Sequence, residues 1–140
     1  MVVNGLPLPR GLLSLMQAGR WQSPADRSLV DRLFPENGGL CLFQVSLMES
    51  ETRAWCREDM RSPMLLGEQD PDYPPGDIDP RLTVFVADLG HGFDQPIALD
   101  YRVSAERPRV LTLSWRARGE RNRWVEIAPD IEAFAQLVGL

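Results

Sequence analysis

The sequence predicts an α+β domain: an antiparallel sheet of four or more strands, with helices at the N- and C-terminal ends. Apolar residues recur at helical spacing near both ends of the chain and at a period of two through much of the second half. The alternating runs are joined by connections too short for a parallel crossover, so successive strands run antiparallel. A chain of 140 residues suits a single domain, here 1–140. Surface scaling puts its folded area at about 7,300 Å², with roughly two thirds of the unfolded surface buried, so no disulfide or structural metal is needed to hold it. Cys41 and Cys56 are read as free thiols.

Pro9 to Ala18 reads as a helix, with proline at its start, Leu12, Leu15 and Met16 on one face, and Gly19 as its C-terminal cap. Ser23-Pro24-Ala25-Asp26 resembles a capping box before a second helix with Leu29, Val30, Leu33 and Phe34 on its apolar face. Leu40 to Val45 reads as a short strand after the Asn37-Gly38-Gly39 turn, and Ser46 or Ser50 then caps a helix carrying Met48 and Trp55. Leu82 to Asp88 is apolar on both alternating faces, the pattern of a central strand covered on each side. Ile97, Leu99, Tyr101 and Val103 alternate with Ala98, Asp100 and Arg102, which predicts a half-exposed strand. Leu111, Leu113 and Trp115 mark the next strand, and Val125 and Ile127 another. Asp130 and Glu132 open a final helix whose Ile131, Phe134, Ala135 and Val138 form a stripe facing the sheet.

The charge is concentrated in one place. Residues 1–67 hold seven arginines and seven acids, residues 81–140 hold eight of each, and the net charge of −5 therefore sits in the segment 68–80. That segment has five acids and four prolines, which excludes a helix or a central strand and predicts an acidic surface loop. A pI near 4.9 argues against nucleic acid or an anionic membrane as partner. No basic leader or long apolar run is present, so a cytoplasmic protein is expected.

No motif of high chemical specificity appears. His91 lies in Asp88-Leu-Gly-His-Gly-Phe-Asp94, where an imidazole and two carboxylates meet flexible backbone. The spacing matches no zinc or calcium motif, and glycine and aspartate also serve a plain hairpin turn, so no metal or cofactor is expected. A nucleophile paired with the single histidine lacks any surrounding signature, so the domain reads as non-enzymatic. Arg116 to Arg123 holds four arginines between Trp115 and Trp124, which suits either phosphate contact or a solvated hairpin tip. The acidic loop suits electrostatic docking on a basic protein, or a simple linker.

The run from Leu82 to Arg102, with Asp88, Gly90, Asp94, Pro96, Asp100 and Tyr101, resembles the core of the SUKH superfamily, the Smi/Knr-like proteins. Trp115, the Arg123-Trp124-Val-Glu-Ile-Ala128 strand and Phe134 in the last helix match later elements, and Leu6-Pro7 with Leu12 to Trp21 is similar to the N-terminal helix of bacterial members. The resemblance is weakest from Leu40 to Pro80, and the acidic insert departs from the family pattern. It implies a protein-interaction module. Bacterial members are commonly immunity proteins that neutralise a cognate toxin, often a nuclease, and fungal relatives regulate cell-wall synthesis. On this reading Asp70, Asp72, Asp77, Asp79, Asp94, Asp100 and Tyr101 are the candidate contacts to a basic partner. Asp88, Gly90, Pro96, Trp115, Trp124 and Phe134 are then structural. The alternative is a regulatory domain that binds a small molecule or phosphate through the His91 loop and the arginine hairpin.

Overall fold

A computed structural model of the chain describes residues 1–22, 26–35, 39–89, 95–115 and 122–140. Strands β1 (Val2–Val3) and β2 (Leu6–Pro7) form a hairpin whose turn places Asn4 at φ 54° and Gly5 at φ 77°, the left-handed pair that an Asn-Gly turn supplies. Helix α1 (Arg10–Gln17) follows, with Pro9 at its N-cap and Gly19 at φ 66° just past its end. Helix α2 (Arg27–Leu33) is capped by Asp26, whose carboxylate accepts from the Ser28 and Leu29 amides. The rest of the expected capping box, Ser23 to Ala25, lies outside the described residues.

Strand β3 (Leu40–Leu42) leads almost directly into α3 (Val45–Trp55). The expected serine caps are not used: Gln44 is the N-cap, and Ser46 and Ser50 lie inside the helix, where the Ser50 hydroxyl donates to the Leu47 carbonyl at 3.1 Å. Phe43 still bonds to the sheet, its N–H reaching the Val86 carbonyl at 2.8 Å, and helical bonding begins at the next residue, where the Gln44 carbonyl accepts from the Met48 amide at 2.9 Å. A 3-10 turn (Glu58–Met60) and the short helix α4 (Pro63–Leu66) precede β4 (Pro75–Gly76), and a second 3-10 turn (Pro80–Leu82) leads to β5 (Thr83–Leu89). Then come β6 (Pro96–Asp100), β7 (Arg109–Ser114), β8 (Arg123–Ala128) and α5 (Ile131–Leu137), the last capped by Asp130.

The main sheet is wholly antiparallel, in the order β3-β5-β6-β7-β8-β4. The predicted α+β class, with helices at both ends of the chain, is what the structure shows. Strand β6 departs from the expected half-exposed pattern. All five of its residues are buried and it ends at Asp100, so Tyr101 and Val103 are not part of it. Alternation with alanine and aspartate mimics a solvated face, but here Ala98 is packed and Asp100 is charge-paired. The proline-rich segment also differs in part. Its Pro75 and Gly76 pair with Val125 and Trp124 as an outermost strand, a position that tolerates proline because one side needs no ladder bonds. The Pro74–Pro75 peptide bond is cis.

Cross-strand partners share a face. Phe85, Ala98, Leu111, Leu113 and Trp124 lie on one face, where Trp55 of α3 stacks on Phe85 at 4.6 Å and meets Trp124 edge-on at 5.8 Å. Val84, Leu99 and Val110 lie on the other, and α5 packs on β7 and β8 while α1 and α2 pack on α5. Ile131, Phe134, Ala135 and Val138 are all buried, as their spacing predicts.

Candidate functional site

The acidic segment is bound to the sheet by arginines. The Arg123 guanidinium lies 3.5 Å from the centre of the Tyr73 ring, and its Nη1 donates to Asp70 at 3.2 Å. Arg123 is buried at the start of β8, and its Nε makes no hydrogen bond among the described residues. Arg102 donates through Nη2 to the Asp77 carbonyl at 2.6 Å and through Nη1 to its carboxylate at 3.4 Å. Gln69 Nε2 donates to the same carboxylate at 2.7 Å. Asp79 caps the second 3-10 turn through the Arg81 amide, and the Arg81 guanidinium holds its carboxyl below the usual aspartate range. Only Asp72 among the four loop aspartates makes no ion pair among the described residues.

Asp100 anchors the network from below. It is fully buried, yet Arg102 Nε donates to one oxygen at 2.8 Å and Arg109 Nε to the other at 2.9 Å. Burial pushes its carboxyl up, but those two hydrogen bonds outweigh burial and leave it below the usual range. Tyr101 is also buried. Its hydroxyl donates to the Pro7 carbonyl at 2.7 Å and so ties the N-terminal hairpin to the sheet, and burial raises its pKa well above the ordinary tyrosine value.

The expected contact residues therefore separate. Asp70, Asp72, Asp77 and Asp79 share one segment beside β8, whereas Asp100 and Tyr101 are corrected from surface contacts to parts of the frame. Asp100 has no exposed surface to offer a partner, and Tyr101 is 6% exposed with its hydroxyl already committed to Pro7. Asp94, His91 and Gly90 lie outside the described residues, as do Arg116, Arg118 and Arg121 of the arginine hairpin. Among the structural residues, Trp124 and Phe134 are fully buried, Pro96 is buried beside Asp88, and Trp115 is 43% exposed rather than part of the core. Asp88 accepts from the Gln95 amide at 3.1 Å, closing the base of the β5–β6 connection.

Sequence reasoning missed the surface around Asn122 and Arg123. Asn122 Nδ2 donates to the Met64 carbonyl at 2.9 Å, its own carbonyl accepts from the Glu68 amide, and Trp115 follows the residue that pairs with Arg123. Three large side chains are exposed there: Met64 at 57%, Tyr73 at 51% and Trp115 at 43%. Each comes from a different segment and neighbours the start of β8, Met64 through Asn122, Tyr73 through Arg123 and Trp115 through Ser114.

Among the described residues no group of three or more histidine, cysteine, aspartate or glutamate side chains could hold a metal, and no helix is long and apolar enough to cross a membrane. No family model, curated protein or solved structure matches this chain.

Proposed function

We propose that this domain works in the cytoplasm, without catalysis, as an immunity-type module that binds and neutralises a cognate basic toxin, of nuclease type. The observation that carries the reading is that three exposed large side chains neighbour the start of β8, Met64 through Asn122, Tyr73 over the Arg123 guanidinium and Trp115 beside Ser114, the partner of Arg123, with Asp70 and Asp72 in the same segment as Tyr73. Aromatic and methionine side chains are the types enriched at the centre of protein contacts, and a carboxylate rim selects for a basic partner and speeds encounter with it. The domain acts by occlusion: the rim and the edge beside it cover the basic groove where the partner holds its substrate.

Tagged domain captured from its native cells at low salt should bring down a basic protein in equal amount, released by high salt and toxic when expressed alone. Tyr73→Ala and Trp115→Ala should each abolish that recovery while the domain keeps its fold by circular dichroism. Recovery of the domain alone, together with thermal stabilisation by a nucleotide or divalent cation, would replace this reading with ligand binding.

A further inference from the structure

A groove of about 620 Å³ runs between α1 and α5, within the size range of small-molecule sites. Its floor includes Leu15 and Ala135, both buried, and Ser14 and Gln136 add a hydroxyl and an amide. Three charged side chains line it: Arg10, which opens α1, Arg20, just past the end of that helix, and Glu132, in the first turn of α5. The turn at Gly19 brings the chain back toward α1, where the Arg20 N–H donates to the Leu15 carbonyl at 2.8 Å. None of the three charged side chains makes a hydrogen bond or ion pair among the described residues, although both signs of charge share the groove. Arg107, whose charge reaches Glu132, is itself bonded to Asp130. Gly11, the second residue of α1, favours a helix less than alanine would. A Cβ there would overlap the Glu132 carboxylate, so the glycine leaves room for that carboxylate to lie against α1.

From these charges of two signs around one groove, and from the glycine that makes room for the carboxylate, we infer that the groove binds a small zwitterion with two anionic groups and one ammonium, of the class of an acidic dipeptide. The two arginines start from opposite ends of α1, a helix about 12 Å long, so each takes a separate carboxylate of the ligand. Glu132 takes the ammonium, and its charge disfavours a ligand that carries anions alone. Ser14 and Gln136 supply donors and acceptors for the peptide group between the charged ends. None of these residues belongs to the surface proposed for a protein partner, so the site does not depend on that reading.

The test titrates isotopically labelled domain with the dipeptide glutamyl-alanine, with its N-acetyl form, which lacks the ammonium, and with its C-terminal amide, which lacks one carboxylate. The backbone amides of Ser14, Arg20 and Gln136 are followed by NMR. Glutamyl-alanine should saturate their shifts at about millimolar concentration, and each probe that lacks a charge should bind about tenfold more weakly. Arg10→Gln and Arg20→Gln should each weaken the dipeptide about tenfold, and Glu132→Gln should abolish the preference for the ammonium. All three side chains are exposed, so the melting temperature should stay unchanged. Gly11→Ala should keep or raise the melting temperature and still weaken the dipeptide, by displacing the Glu132 carboxylate. No saturation by glutamyl-alanine overturns the site, and equal binding of the acetylated probe overturns the zwitterion as its ligand. Undiminished binding to the Gly11→Ala variant would overturn the part given to that glycine.

Discussion

The backbone N–H of Phe85 donates to the Thr52 hydroxyl at 3.1 Å, so a side chain of α3 takes the place that a strand carbonyl fills elsewhere in the sheet. Strand β3 ends at Leu42, opposite Ala87, and Thr52 serves the part of β5 beyond it. Both Thr52 and Phe85 are fully buried. Thr52→Val keeps the volume and strands the donor, which should cost about 1–3 kcal/mol in urea unfolding. Thr52→Ser keeps the acceptor and should cost less. Equal stability of the valine variant and the parent would show that the bond contributes nothing.

Acid should destabilise the fold in a defined window. The carboxyls of Asp26, Asp79, Asp100 and Asp130 all lie below the ordinary value of 3.8. The Ser28 hydroxyl, the Arg81 guanidinium and the Ala133 amide are the main causes at Asp26, Asp79 and Asp130, and the two arginines overcome burial at Asp100. Below about pH 5 the unfolded chain binds more protons than the folded one, so stability rises with pH there. The contribution is complete above the unfolded value and is lost as pH falls through the folded values. Asp100→Asn should lose about 3–5 kcal/mol at neutral pH by leaving two half-buried arginines facing an amide. Its urea midpoint should also fall less steeply than the parent's between about pH 5 and pH 2. Parallel curves for the two proteins would remove Asp100 from the acid response.

Two glycines with nearly the same backbone angle should respond differently to alanine. Gly76, at φ 73°, would place a Cβ 2.8 Å from the backbone atoms Asp70 N and Glu68 O, whereas Gly5, at φ 77°, has nothing within 4 Å. Gly5→Ala should cost about 1 kcal/mol, from the left-handed backbone alone. Gly76→Ala must also displace chain, so it should cost more and speed hydrogen exchange at the Val125 amide as β4 leaves β8. Matching costs at the two sites would exclude the close backbone approach.

Charge reversal should also divide the acidic segment. Asp72→Lys alters an exposed carboxylate and should leave stability within about 0.5 kcal/mol of the parent. It should slow association with a basic partner, and more so at low salt. Asp77→Lys faces Arg102 at 3.4 Å and should lower stability by about 1–2 kcal/mol before any partner is added. A stable Asp77→Lys variant with unchanged partner kinetics would show that the Arg102 contact is dispensable.

The four strands of the meander and the terminal helix were legible because their signals are local: the continuous apolar run of β5, the alternation in β7, the stripe in α5, and short connections. The half-exposed reading of β6 failed because period alone does not distinguish a solvated aspartate from one buried between Arg102 and Arg109. The N-terminal hairpin carries its own local signal, Asn4-Gly5, but its strands are only two residues each, too short to show an alternating pattern. Strand β4 carries no such signal. Two residues beside a proline become a strand only because β8 is there to receive them, and the Asp70–Arg123 and Asp77–Arg102 contacts likewise join residues 53 and 25 positions apart. Candidate contact acids can thus be found from composition, but which of them stay available to a partner depends on arginines that composition does not locate.

The sheet order has a consequence for how the chain assembles. Strands β5 to β8 follow one another and pair with their sequence neighbours, so they can form from near contacts alone, whereas Pro75 meets Val125 across 50 positions. The segment that precedes β5 supplies both outer strands and so closes a sheet that β5 to β8 have begun. Until it does, β5 and β8 each present bare ladder groups to other molecules. Three residues of β3 and two of β4 are then what keep one sheet from adding to the next.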